Sequence, residues 1–335
     1  MTNNIIDNEK VYVDESTGIS IKYIFIPYFD DCGKDKLIIS FSGFGPRPLY
    51  NYMKTLSNIT TNKLYILDDF GHRGGYYIGS IGKLNMEKAV LHLIQKIIND
   101  QQIERKNVVC IGSSKGGTAA IYYAIKYGYG YAIAGEPQIE IAKYLKGAHG
   151  EDVLSDMVDD MDESNAIIGI DKLIYDAVEH TDFRPLLLMH AGIDSYHYHE
   201  HILPFVHFYN KKGGTYLLNL ENYAEHYTLT KYFPFFLIRK ISEIFPELTK
   251  KIYIKSMDIL LHAHIFSIRI NAFNATEYAL YVFKAGKRQE IKGYQSSNIF
   301  TFEAEIGAGE YTFIGFVRDE TGHSIYFQSP PYKVT

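Results

Sequence analysis

One stretch, Val108-Val109-Cys110-Ile111-Gly112-Ser113-Ser114-Lys115-Gly116-Gly117, restricts this chain more than any other. Its apolar run is short enough for a buried strand and breaks at Gly112. Ala120, Ile121, Ala124 and Ile125 follow at helical spacing, with Gly128 as a natural stop. Strand, Gly-Ser-Ser-Lys-Gly, helix is the setting in which G-x-S-x-G forms a nucleophile elbow. The turn is so sharp that a side chain on either flank would collide with the helix or the neighbouring strand. That requirement selects Ser114, which stands two residues from Gly112 and from Gly116; Ser113 would be flanked by Ile111 and Lys115. Stripped of chemistry, the same turn is a glycine-rich junction, or one that holds an anion at a helix N-terminus.

Around this stretch strands and helices alternate. Lys10–Asp14 and Ile19–Pro27 read as a hairpin, and Leu37–Phe41 and Leu64–Leu67 as buried strands, with a helix expected over Leu49–Leu56. Asn85 is placed to cap a helix whose Met86, Val90, Leu93, Ile94, Ile97 and Ile98 share one face. Strands follow at Tyr131–Ala134, Pro185–His190 and Thr215–Leu218, and a last helix is expected to begin near Pro234. This alternation indicates a doubly wound, mostly parallel sheet covered on both faces.

Residues 136–180 break the rhythm with helical, acid-rich sequence (Glu151, Asp152, Asp156, Asp159, Asp160, Asp162, Glu163) and read as an inserted lid. Such a run is ordinarily a solvated helix face rather than a metal site. Beyond Pro246–Lys250 the pattern changes to short strands punctuated by turns, at Ile265–Ala272, Tyr278–Lys284, Ile299–Ala304, Tyr311–Arg318 and Ile325–Gln328. An Ig-like β-sandwich is expected, with Tyr311 as a tyrosine-corner candidate. The domains expected are therefore 1–248 and 249–335.

Composition excludes some functions. A net charge of -5 over 335 residues gives no support for a nucleic-acid partner. Two cysteines, Cys32 and Cys110, make no disulfide framework. Met1–Asp14 has neither the basic nor the apolar segment of a secretory signal, and no apolar stretch is long enough to cross a bilayer, so a cytoplasmic location is expected. The amphipathic helix near Pro234 mixes charge signs on its polar side, which favours a core-facing role over more than peripheral membrane contact. The 29 tyrosines suit an aromatic core as well as a sugar-binding cleft.

A serine hydroxyl needs a base, and the base an orienting acid. Where such an elbow occurs, acid and then base follow the nucleophile along the chain, each just past the carboxyl end of a strand. Asp194 and His226 satisfy that rule. His190 is a rival base, and Asp182 and Glu221 are rival acids. The oxyanion donors expected are the backbone N–H of Lys115, just after the nucleophile, and that of Phe44 in Gly43-Phe44-Gly45, with Gly45 next. Arg73, Tyr76 and Tyr77, on the loop after Leu64–Leu67, are candidates to hold an anion and stack on a sugar. His197, His199, His201 and His207 invite a metal reading; without a third ligand motif, no metal is expected.

With Gly112–Gly117, Asp194 and His226 in place, the sequence resembles bacterial α/β-hydrolase-fold O-acetyltransferases of surface glycans. These include capsule-polysaccharide O-acetyltransferases and the acetyltransferase component of the accessory secretion system for serine-rich glycoproteins. The resemblance spans roughly residues 36–245, and the C-terminal segment resembles three-tyrosine β-sandwich domains. It implies that Ser114 takes an acetyl group from acetyl-CoA as co-substrate, with no bound cofactor. His226 would be the base, Asp194 would orient it, and a carbohydrate hydroxyl would be the acceptor. A serine esterase or deacetylase acting on an acylated glycan, and a non-catalytic glycan-binding or assembly protein, are the alternatives. The C-terminal segment shows no catalytic constellation and is assigned to binding or protein docking.

Overall fold

The computed structural model describes residues 8–29, 33–45, 47–148, 150–158, 162–248, 252–262, 264–303 and 308–334. The expectations at Asp30, Asp31, Cys32, Pro46, Asp159, Asp160, Thr249, Lys250 and Gly307 lie outside these residues. The chain divides into two compact units, 1–244 and 245–335.

The first unit is built on an eight-stranded sheet in the order β1-β2-β4-β3-β5-β6-β7-β8. β1 (Lys10–Val13) and β2 (Ser20–Ile26) form an antiparallel hairpin that joins β4 antiparallel. The rest is parallel: β3 (Leu37–Phe41), β4 (Asn62–Ile66), β5 (Val108–Ser113), β6 (Tyr131–Gly135), β7 (Leu186–Gly192) and β8 (Tyr216–Glu221). β3 and β4 are buried throughout, as expected of strands covered on both faces. From β3 the chain goes to β4 on one side and then returns past β3 to β5 on the other. The carboxyl ends of β3 and β5 thus flank a topological switch point, where open α/β sheets form their ligand crevices.

The helices of this unit are α1 (Asn85–Asp100), α2 (Lys115–Tyr127), α3 (Ile141–Gly147), α4 (Glu151–Val158), α5 (Glu163–Glu179), α6 (Leu203–Lys211) and α7 (Leu229–Ile244). α1 buries the face read from sequence, but Leu84, in a left-handed conformation at φ 52, occupies its cap position, and Asn85 is already helical. α2 ends at Gly128, whose φ of 69 suits glycine. No helix forms over Leu49–Leu56: Ser40 and Ser42 donate to the carbonyls of Asn51 and Leu49, and the Asn51 side chain accepts from Gly43 N–H at 2.9 Å. That segment thus satisfies the end of β3 instead of its own helical ladder, and Tyr52 takes φ 64. α7 begins at Leu229, so Pro234 lies inside it, and Phe233, Phe236, Leu237 and Ile241 are buried against the core.

Helices α3, α4 and α5 fill the insertion between β6 and β7. Three of its acids are engaged: Asp162 caps α5 by accepting from Asn165 N–H at 3.0 Å, Asp156 accepts from the His72 backbone at 2.7 Å, and Asp152 binds Arg73.

The second unit is two antiparallel sheets, β13-β10-β9 and β12-β11-β14-β15, with β16 paired to β14. The strands are β9 (Tyr253–His262), β10 (Ile265–Phe273), β11 (Glu277–Lys284), β12 (Lys287–Gln295), β13 (Ile299–Glu303), β14 (Gly309–Arg318), β15 (Ser324–Gln328) and β16 (Tyr332–Val334). Phe266 of one sheet meets Tyr311 and Phe313 of the other, each at 5.1 Å between ring centres, so the sheets enclose a shared core. Tyr311 stands inside β14 within that core. β9, β12 and β16 were not anticipated; β9 and β12 are sheet edges, and β12 is mostly exposed and polar.

Candidate active site

Ser114 lies between β5 and α2 at φ 53, ψ -126, a conformation that ordinary side chains adopt only under strain. The small flanks are a steric necessity. A Cβ on Gly112 would sit 2.3 Å from the Gly116 carbonyl, and one on Gly116 would sit 2.3 Å from the Phe41 carbonyl oxygen. The Ser114 N–H donates to Gly135 O at 2.7 Å, which ties the elbow to β6. Ser114 and His226 line one cavity of about 400 Å³ with Phe44, Tyr52, Tyr144 and Tyr227.

His226 follows β8, and its Nδ1 is hydrogen-bonded to Glu136 Oε2. A carboxylate only accepts, so this bond places the proton on Nδ1 and leaves Nε2 as the basic nitrogen. Glu136 follows β6 directly, is fully buried and takes φ 41. Its other oxygen accepts from Gly192 N–H at 3.1 Å. Burial pushes the Glu136 carboxyl pKa up, but the bond from His226 and the Gly192 N–H outweigh it. The carboxyl stays below its ordinary value. Beneath His226 lies His197, its ring stacked at 4.1 Å between centres and 17° between planes. Burial holds His197 neutral, its pKa lowered to about 3.

Asp194 is not the partner of His226. It sits in the exposed turn after β7, where its backbone N–H reaches Tyr223 O at 3.3 Å, while the carboxylate on the imidazole comes one strand closer to the elbow. Glu136 obeys the rule used for Asp194, an acid just past a strand's carboxyl end between nucleophile and base. Its position directly after Tyr131–Gly135 was the available signal. The rivals stand elsewhere. His190 is inside β7, accepting from Asn219 at 3.0 Å, with its pKa lowered to about 4 by burial. Glu221 ends β8, and Asp182 is exposed before β7.

Tyr76 and Tyr77 are fully buried and cannot stack on a sugar. The Tyr77 hydroxyl accepts from Ser42 N–H at 2.6 Å and donates to Ile66 O at 2.9 Å; the Tyr76 hydroxyl donates to Gln138 Oε1 at 3.0 Å. Arg73 is tied to Asp152, with Nε to Oδ2 at 2.8 Å. The loop that carries these residues is braced by Asp68, which accepts from Gly75 and Tyr77 N–H and from Lys115 Nζ at 2.6 Å.

Lys115 is the first residue of α2, so its N–H has no acceptor within the helix. Phe44 lines the cavity, and a Cβ on the adjacent Gly43 would lie 3.2 Å from Ser113 O, so this loop packs against the elbow. Of the four histidines considered for metal, His199 and His207 are exposed and His197 and His201 are buried. Glu136, His197 and His226 bring ligand atoms within 4.8 Å of one another. Glu136 and His226 are joined to each other by a hydrogen bond.

No protein-family model matches the chain, and no curated protein does. Solved structures do. The capsule O-acetyltransferase of Neisseria meningitidis serogroup A, solved as a mutant in complex with CoA, aligns with a TM-score of 0.57 and 21% identity over 71% of this chain and 99% of that one. The Glycosylation Associate Protein complex from Streptococcus agalactiae aligns with a TM-score of 0.59 and 17% identity, over 72% of this chain and 47% of that one. A fluorophosphonate-binding serine hydrolase of Staphylococcus aureus aligns with a TM-score of 0.55 and 14% identity, over 70% and 96%. At these identities the likeness establishes the fold: the first unit is an α/β-hydrolase fold. No helix among the described residues is long and apolar enough to cross a membrane.

Proposed function

We propose that this protein is a serine-dependent acyltransferase that moves an acetyl group from acetyl-CoA to a hydroxyl of a surface or capsular carbohydrate. The observation that carries the reading is the strained Ser114 at the elbow, sharing a cavity with a His226 whose Nδ1 is held by buried Glu136. In the first half-reaction, His226 Nε2 takes the Ser114 proton as Oγ attacks the thioester carbonyl. The C–S bond breaks, and the proton passes to the departing sulfur of CoA. In the second, His226 takes the proton of the sugar hydroxyl, whose oxygen attacks the acetyl-serine, and Ser114 Oγ leaves and regains a proton. The N–H groups of Lys115 and Phe44 would hold the tetrahedral oxyanion.

Two findings support the acyl donor and the acceptor. A fold neighbour was solved with CoA and acts on a capsule. The cavity presents Phe44, Tyr52, Tyr144 and Tyr227 and no Asp, Glu, Lys or Arg among the described residues, a lining suited to a neutral sugar ring. Hydrolysis is the second reading, because the His226 side chain is 36% exposed and within reach of water. The C-terminal unit is proposed as a binding or docking module. Isotopically labelled acetyl-CoA incubated with a panel of glycans separates the readings. Transfer of label to glycan, absent in Ser114→Ala, supports the transferase, whereas release of free acetate with no labelled glycan supports the esterase. Retained fluorophosphonate labelling in Ser114→Ala would leave only a binding protein.

A further inference from the structure

Gln138 lies outside the nucleophile, acid and base, yet it touches the reacting oxygen. Its Nε2 donates to Ser114 Oγ at 2.6 Å, and the residue is fully buried. The rest of Gln138 is fixed. Its Oε1 accepts from the Tyr76 hydroxyl at 3.0 Å, its backbone N–H donates to Thr118 Oγ1 at 2.8 Å, and its carbonyl accepts from the same hydroxyl at 3.1 Å. With Tyr76 donating to the amide oxygen, the amide nitrogen is the end presented to the serine. A flipped amide would instead accept the Ser114 proton and compete with His226 for it.

We propose that the Gln138 amide is a catalytic group that stabilises Ser114 Oγ as the leaving group when the acetyl group passes to its acceptor, with Tyr76 positioning it. This rests on the acyl-serine reading above and assigns a step within it. A neutral N–H donor lowers the cost of negative charge on Oγ but takes no proton, so the base remains His226. The two half-reactions make unequal demands on that donor. In acylation the departing group is a thiolate, which leaves readily. In transfer the tetrahedral intermediate holds two alkoxide-like oxygens, one from the sugar and one from Ser114. The carbon–oxygen bond to Ser114 must break while the new bond to the sugar survives. An N–H on Oγ tilts that choice forward; without it the intermediate returns the acceptor, and acetyl-enzyme accumulates.

Stopped-flow turnover of p-nitrophenyl acetate, read as a burst and a steady state, tests this with intact mass and a thermal melt on the same samples. For Gln138→Leu the burst rate is expected to stay within about threefold of wild type, while steady-state turnover falls about 10- to 100-fold and acetyl-enzyme builds up. Tyr76→Phe, which leaves the amide in place but frees its oxygen, should show the same pattern at about three- to tenfold. It keeps the test decisive if Gln138→Leu melts early. Equal slowing of both phases in a folded variant, or no slowing of either, overturns the assignment. Wild-type protein that gives no burst and no modified Ser114 sinks the acyl-serine reading and this inference with it.

Discussion

The two units keep their cores in opposite ways. The C-terminal unit packs Phe266, Ile268, Ile270, Leu280, Val282, Tyr311 and Phe313 between its sheets, and no charged side chain is buried among its described residues. The N-terminal unit buries Asp14, Lys63, Glu87 and Lys240, and nearer its candidate site Asp68, Lys115, Glu136, His190, His197 and His201. Placing such groups out of water costs several kcal/mol unless each is paired or neutralised. Asp68 and Lys115 are paired, Glu136 is held by His226 and Gly192, and the three histidines are kept neutral. The sandwich core is apolar among its described residues, whereas the α/β unit accepts buried polarity, including a cluster at the carboxyl edge of its sheet around Ser114. Clusters of this kind mark functional sites.

That contrast can be broken by exchanging the two kinds of damage. The largest effect expected is on chemistry: His226→Ala should lower turnover by about three orders of magnitude or more while the α/β unit still folds, its melting temperature lowered by the loss of the bond that holds Glu136. Next comes Phe266→Ala in the sandwich, which should cost its unit about 3–5 kcal/mol and leave fluorophosphonate labelling of Ser114 at the wild-type rate. Differential scanning calorimetry with parallel labelling reads both. If Phe266→Ala abolished labelling, the division of labour between the units would fail.

A smaller effect separates the units by pH. Burial lowers the pKa of His190, His197 and His201 to about 4, 3 and 4. In the unfolded chain they titrate near ~6.5. The unfolded state therefore binds protons first as pH falls. The stability these residues contribute is complete above about pH 6.5 and is lost down to about pH 3–4. The melting transition of the α/β unit should drop across that window more than that of the sandwich, which has no buried histidine among its described residues. Equal displacement of both transitions would remove the histidines from the explanation.

Much of this was legible in the chain. The elbow was, because steric exclusion at Gly112 and Gly116 writes itself as glycine. The parallel strands were, because burial on both faces leaves uninterrupted apolar runs such as Leu37–Phe41. What was missed depended on partners far away in sequence. Tyr76 and Tyr77 look like a sugar platform until their hydroxyls are seen to serve Gln138, Ser42 and Ile66. Leu49–Leu56 has helical composition, but its carbonyls are claimed by Ser40 and Ser42. β12 escaped notice because an edge strand is polar, as Lys287-Arg288-Gln289-Glu290 is. Glu136 was overlooked beside Asp194 because both satisfy the order along the chain, and only the fold shows which one reaches the imidazole.

The choice between those two carboxylates is tested most directly by the rate at which a fluorophosphonate labels Ser114 in Glu136→Gln and in Asp194→Asn, measured side by side. With Glu136 as the partner of His226, Glu136→Gln slows labelling by about three to four orders of magnitude, since a glutamine leaves His226 in the wrong tautomer. The same pairing leaves Asp194→Asn within about twofold of wild type, as an exposed surface change should. Collapse in Asp194→Asn with normal labelling in Glu136→Gln would contradict it.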